Sequence, residues 1–259
     1  MKKRHRRKVK IDLFGLSSID IYTCLLRGEI AKFPNNFVTR DNMKEIIRYV
    51  ILTEKKLSRK EICDKISFDY LAQYKLKGSR HAFDYSIFEL VKYCFPELDI
   101  KNWELKKVSN NFWKEEKNII EYMNWLVEKE KIDTTKISDL KKIDANLIDK
   151  NFGRKARQYS NGIYNLILIV SKIDVKEWQV MNVSKWDDIK AAQAIKWLVE
   201  EKLKWSDNDI AQKMNVKVFE ENDLGGLIKN YFRHNVINAL NLTYPGKFIR
   251  NSSYKIELV

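Results

Sequence analysis

Apolar residues along this chain fall at helical spacing, and they do so three times in closely related stretches. In residues 187–204, Ala191, Ala194, Ile195, Leu198 and Val199 share one face of a predicted helix, with mixed Lys and Glu on the other. The related stretches 41–56 and 115–131 carry Tyr49-Val50-Ile51-Leu52 and Trp125-Leu126-Val127-Glu128, the latter echoed by Trp197-Leu198-Val199-Glu200. Further along, an aromatic residue precedes a tight apolar cluster. It reads Phe83-x3-Ile87-Phe88-x-Leu90-Val91, then Tyr159-x3-Ile163-Tyr164-x-Leu166-Ile167, then Phe232-x3-Val236-Ile237-x-Ala239-Leu240. These landmarks stand 76 and 73 residues apart, a period that points to an array of small supersecondary units.

Each unit reads as four helices and a connector. The second helix opens with Ser58-x-x-Glu61 in the first copy and Ser206-x-x-Asp209 in the third; a serine N-cap and an acid three residues on suit a helix start. The middle copy has the looser DTTKISDLKK. A third helix is expected over 70–82, 146–158 and 219–232, and a fourth just beyond each aromatic landmark. Pro96 and Pro245 stop the fourth helix in the outer copies. Extended connectors follow, as Trp103-Glu-Leu105-x-x-Val108-Ser109 and Trp178-Gln-Val180-x-x-Val183-Ser184. All seven tryptophans fall at or beside such landmarks, where inter-repeat packing is favoured over base stacking. Residues 17–32 read as one helix ending near Gly28, a cap on the first unit. With only 8 Gly and 3 Pro, the chain favours helices over a turn-rich β fold.

The expected fold is therefore all-α, with three tandem four-helix units of about 75 residues each. Its segments are a disordered basic arm (1–12), a helical cap with its lead-in segment (13–38), and repeats at 39–112, 113–185 and 186–254.

Charge narrows the partners. The formal net charge is +14, and half of it comes from Lys2, Lys3, Arg4, Arg6, Arg7, Lys8 and Lys10 in an acid-free start. Such a chain has polyanions as natural partners, nucleic acid first and acidic membrane surface second, unless the arm serves only solubility or addressing. The three cysteines, Cys24, Cys63 and Cys94, are odd in number and widely spaced, as expected of reduced thiols in a cytoplasmic protein. No secretory signal is evident at the start, and the longest mostly apolar stretch, Ile163 to Val170, is too short to span a bilayer.

Catalytic signatures are missing. His5, His81 and His234 are the only histidines and no C-x-x-C occurs, so neither a metal nor a cofactor is expected. Gly225-Gly226 lacks a phosphate-loop context, and Glu115-Glu116-Lys117 and Glu200-Glu201-Lys202 read as solvated helix surface. No small-molecule substrate is evident and an enzyme is not expected. Binding has more support, because positive charge gathers around each aromatic landmark. The clusters are Lys75, Lys77, Arg80 and His81; Lys150, Arg154, Lys155 and Arg157; and Lys229, Arg233 and His234. Two short helices with a basic second member follow the general logic of a helix-turn-helix. The expected function is non-catalytic nucleic-acid binding, duplex DNA before RNA, in a regulatory role or accessory to a mobile element. The alternatives are a scaffold whose groove holds a protein partner, and a nuclease with an unrecognised site.

The stretch LVEEKLKWSDNDIAQKM, the later Tyr244-Pro245-Gly246-Lys247-Phe248 and the Trp-x-aliphatic-x-x-Val connectors resemble a bacterial repeat family of unknown function, over about 30–250. That family implies no activity. The Phe232…Ala239-Leu240 pattern also resembles, over the last two helices of each unit, the short helical repeats attached to homing endonucleases, which implies a role in holding DNA. Arg233-His234 departs from the glycine and tryptophan those repeats often carry, and no functional residue transfers from either family.

Overall fold

The cap helix shows how local chemistry sets an element. The Ser17 hydroxyl oxygen accepts from the Asp20 backbone N–H while the Asp20 carboxylate accepts from the Ser17 N–H, a closed capping box. Helix α1 (Ser18–Leu26) follows and ends where Gly28 takes φ +75°. The computed structural model describes residues 13–109, 111–183, 185–251 and 255–259. They are mostly helical and divide into two compact units between Phe112 and Trp113. The basic arm lies outside the described residues.

In the first unit, α1 is followed by α2 (Arg40–Arg48), α3 (Arg59–Lys65), α4 (Phe68–Ala72), α5 (Ser79–Ala82) and α6 (Ile87–Cys94). The second unit opens with α7 (Glu116–Lys129), α8 (Ile137–Leu140), α9 (Ala145–Lys150), α10 (Arg154–Tyr159), α11 (Ile163–Val170) and α12 (Glu177–Val180). It continues through α13 (Asp188–Lys196), α14 (Asp207–Lys213), α15 (Val216–Glu221) and α16 (Val236–Thr243). Strands β1 (Phe248–Arg250) and β2 (Ile256–Leu258) pair antiparallel, Phe248 opposite Leu258.

The apolar stripe predicted over 187–204 is that helix's buried face, and the two related stretches bury a stripe of the same kind. Met43, Ile46, Ile47, Val50 and Ile51 are buried along α2 and its extension. Ile119, Tyr122, Met123 and Leu126 are buried on α7, and Ala191, Ala194, Ile195, Leu198 and Val199 along α13 and its extension. The spacing i, i+3, i+4, i+7 is common to all three. Each stripe packs on the fourth helix of its own stretch: α2 on α6, α7 on α11, α13 on α16. In the outer stretches the first helix widens into π-helical turns, Tyr49–Glu54 and Trp197–Leu203, whereas α7 stays α-helical. All three then leave the helix through a left-handed lysine: Lys56, Lys131 or Lys204.

Several sequence expectations change. The single third helix is two short pieces in every stretch, broken by a left-handed residue: Lys75, Phe152 or Asp223. In the outer stretches the cause is a spacing of five. Leu71 with Leu76 and Phe219 with Leu224 are both buried pairs, and five residues of continuous α-helix would put them on different faces. The left-handed turn brings both inward, closing Leu76 N–H onto Leu71 O and Leu224 N–H onto Phe219 O. Gly153 N–H closes onto Ile148 O in the same way. The connectors expected to be extended are helical turns, a 3₁₀ turn at Asn102–Glu104 and α12. A Glu or Gln side chain three residues on folds back to the backbone N–H of Lys101 or Lys176.

The aromatic landmark also slips in the middle stretch. Ser160 N–H bonds Ala156 O and Gly162 N–H bonds Arg157 O, where Phe83 N–H bonds Ser79 O and Tyr85 N–H bonds Arg80 O. Ser160 therefore holds the place of buried Phe83, and Tyr159 is 43% exposed. The C-terminal end, for which no strand was expected, forms the hairpin, whose Phe248 is buried against α16.

Two outcomes test this packing. Ile195→Ala should cost roughly 2–5 kcal/mol in urea denaturation, whereas Ile189→Ala, at a site 74% exposed, should stay within about 0.5 kcal/mol of the parent. The second concerns acid. Lys65 first, then Ser58, hold the Glu61 carboxyl down at about 2; Lys213 and Ser206 do the same for Asp209. A carboxyl whose pKa is depressed on folding adds stability above its ordinary range and loses it as pH falls toward 2. Glu61→Gln should therefore lower Tm at pH 7, and the gap to the parent should close between pH 5 and about 2. A gap independent of pH would refute the linkage.

Candidate nucleic-acid interface

The basic clusters gather around the breaks in the third helix and the turns that follow them. Lys75 and Lys77 lie in the first break, with Arg80 and His81 on α5 just after it. Lys150 ends α9, and Arg154, Lys155 and Arg157 lie on α10 across the second break. Lys229 sits in the π-helical turn Leu227–Tyr231 that follows α15, and Arg233 and His234 are consecutive left-handed residues before α16. Such a pair precedes the fourth helix in every stretch, as Asp84-Tyr85, Asn161-Gly162 or Arg233-His234. At all three places the backbone leaves helical geometry, and most of the cations are exposed.

Their partners sort them. Lys75 Nζ donates to Leu25 O at 3.0 Å, a carbonyl at the end of α1 that also accepts from Gly28 N–H. Arg157 holds both oxygens of Asp149, at 3.1 and 2.9 Å. The Arg80 guanidinium lies 6.0 Å from the Phe68 ring centroid. Arg80 and Arg157 occupy equivalent places, and in both the Nε is buried without a hydrogen-bond partner. His81 Nδ1 is 2.9 Å from the Tyr85 hydroxyl, the two rings edge to face. These four side chains are engaged within the fold. Lys77, Lys150, Arg154, Lys155, Lys229 and Arg233 are exposed, and among the described residues none forms an ion pair or side-chain hydrogen bond.

His234 lines a cleft of about 600 Å³ between the α14–α15 turn and the hairpin, with Gln212, Asn215, Arg250, Lys255 and Glu257. Sequence reading missed Arg250, inside the third repeat but away from its aromatic landmark, and Lys255, which lies beyond that repeat. It also passed over Phe152, which stands 53% exposed in the second break. The one available signal was its place between Lys150 and Arg154, just ahead of a glycine. No tryptophan is exposed: Trp103, Trp113 and Trp178 are buried and the other four half-buried. Among the described residues no group of three or more His, Cys, Asp or Glu is placed to hold a metal ion. No helix there is long and apolar enough to cross a membrane.

The class is a mostly helical protein, with six exposed cations in or near its helix breaks and turns. A protein family of unknown function (DUF4046) has a model that matches residues 18–100, from the start of α1 to just beyond α6. No curated protein matches the chain, and no solved structure does.

The second break is fixed by its glycine. Gly153 is buried, and a Cβ there would overlap the Tyr122 ring and crowd Ile148. Tyr122 is itself fully buried and donates to Ile148 O at 3.2 Å. Gly153→Ala should therefore destabilise the chain by about 1–3 kcal/mol, read as a lower urea midpoint with unchanged m-value.

Proposed function

We propose that the chain is a non-catalytic nucleic-acid-binding protein, built from three copies of one four-helix unit and acting on duplex DNA. The copies are supported by the shared stripe, the shared break and the shared pair of left-handed residues. Binding is supported above all by one observation. Each basic cluster occupies the same region of its stretch, and each keeps at least one exposed cation without a partner. Lys77 serves the first, Lys150, Arg154 and Lys155 the second, and Lys229 and Arg233 the third. Cations already used inside a fold have little left to offer a phosphate; unpaired ones release counterions on contact, which is the main source of nonspecific affinity. The paired short helices α3–α4 and α14–α15, each joined by two residues, give the arrangement a helix-turn-helix character. The role is regulatory or accessory to a mobile element, in the cytoplasm.

The test is binding of labelled duplex DNA and RNA at two salt concentrations. Replacing Lys150, Arg154 and Lys155 with Gln should weaken binding and reduce the log–log salt slope by about 2–3. Deleting residues 2–10 should reduce it by about 4–5, if roughly five of the arm's cations meet phosphates. Lys75→Met should change stability and leave the slope alone. No binding to either nucleic acid at low salt would end this reading and favour a protein-interaction scaffold.

A further inference from the structure

We infer that Phe152 is a base-stacking residue, so that the second break takes a base exposed from its stack as well as backbone phosphates. The inference rests on the nucleic-acid reading above and deepens it.

Phe152 has φ +67°, a left-handed conformation that a bulky side chain rarely adopts. It does so on a turn held from both sides. Gly153 N–H bonds Ile148 O at 2.8 Å and Gly153 lies against Tyr122. Just before it, Asn151 is buried, accepting from Lys129 Nζ at 2.7 Å and donating to Leu147 O at 2.9 Å. A turn anchored this firmly could carry a polar side chain at its tip. It carries a phenyl ring instead, more than half exposed, with no aromatic partner among the described residues.

The comparison within the chain sharpens this. At the equivalent break positions, Lys75 is bonded to the end of α1 and Asp223 forms an ion pair with Lys141 at 3.0 Å. The other exposed aromatic in left-handed geometry, Tyr85, is held by His81. Phe152 has no such tether. Its flanks are Lys150, Arg154 and Lys155, all exposed and unpaired, while the adjacent acid, Asp149, is neutralised by Arg157. A rigidly mounted ring among unpaired cations matches the chemistry of single-strand binders, where rings stack on bases and cations track phosphates. It equally suits an apolar wedge at a kinked base step.

The experiment uses the full chain, 2-aminopurine-labelled single-stranded DNA, a paired duplex of the same sequence, and anionic phosphatidylserine vesicles. Phe152→Ala should weaken single-strand binding roughly tenfold with the salt slope unchanged, because the ring carries no charge. Phe152→Trp should restore affinity and the 2-aminopurine signal, whereas Phe152→Leu, apolar without a π face, should not. Loss of affinity for paired duplex alone, restored by Phe152→Trp and not by Phe152→Leu, would also support the inference; restoration by Leu would overturn stacking in favour of an apolar wedge. Unchanged binding of Phe152→Ala to both DNAs, while the Lys150, Arg154 and Lys155 substitutions still weaken it, would overturn this inference and spare the proposed function. If the parent binds neither DNA at low salt, both readings fall. Phe152-dependent binding to the vesicles in that case would reassign the ring to a membrane surface.

Discussion

Everything else in this chain is arranged around one contact, the packing of the first helix of each stretch on the fourth. The contact uses the same positions each time and different side chains. On the fourth helix the buried set is Leu90, Val91 and Cys94 in α6, Leu166, Ile167 and Val170 in α11, and Ala239, Leu240 and Thr243 in α16. The facing set runs from Ile46 and Ile47, through Tyr122 and Met123, to Ala194 and Ile195. In the last pair small residues are buried on both helices, Ala191 and Ala194 on α13 and Ala239 on α16.

Pinning the first helix to the fourth constrains what lies between. Residues 55–86, 130–162 and 204–235 must leave the core and return, contributing apolar side chains at both ends of the excursion. A single helix cannot do this with buried residues five apart, so the chain breaks. It breaks where a residue can take left-handed geometry, and the return to the fourth helix needs two more such residues. These bends carry exposed side chains because the neighbouring positions already supply the core. Packing thus accounts for the exposure of these positions and not for their charge, since Asp84 and Asp223 occupy such bends too.

This also explains which features were legible in the sequence. The stripes were, because helical periodicity is written directly into apolar spacing; Ile195, Leu198 and Val199 are buried as their spacing predicts. The capping boxes at Ser58 and Ser206 were, because their bonds span only three residues. The breaks were not, although Leu71 and Leu76 announce one to a reader who asks whether both can face inward. The slip at Tyr159 was hidden because Tyr159 aligns with Phe83 by letter, while the backbone bonds put Ser160 in its place. At the candidate site, residue identity revealed charge but not which charges were already spent. Only geometry shows that Lys75 is bonded to Leu25 O and Arg157 to Asp149, while Lys150 and Arg154 are not.

The energetics of the second break make the placement of Phe152 hard to read as packing. A non-glycine residue in left-handed geometry costs roughly 1–2 kcal/mol, and an exposed phenyl forgoes much of the about 1.5–3 kcal/mol that burial would return. At Asp223 the same turn is made by a residue that tolerates the conformation more readily and forms an ion pair besides. Nothing in the anchoring of the turn requires an aromatic: the bonds that hold it come from the backbone of Gly153 and the side chain of Asn151. The ring is therefore only partly used by the isolated fold, with more than half of it left exposed. A base stacked on that ring, worth roughly 1–3 kcal/mol, would recover what the free protein forgoes, and the three unpaired cations beside it would hold the backbone of the same strand.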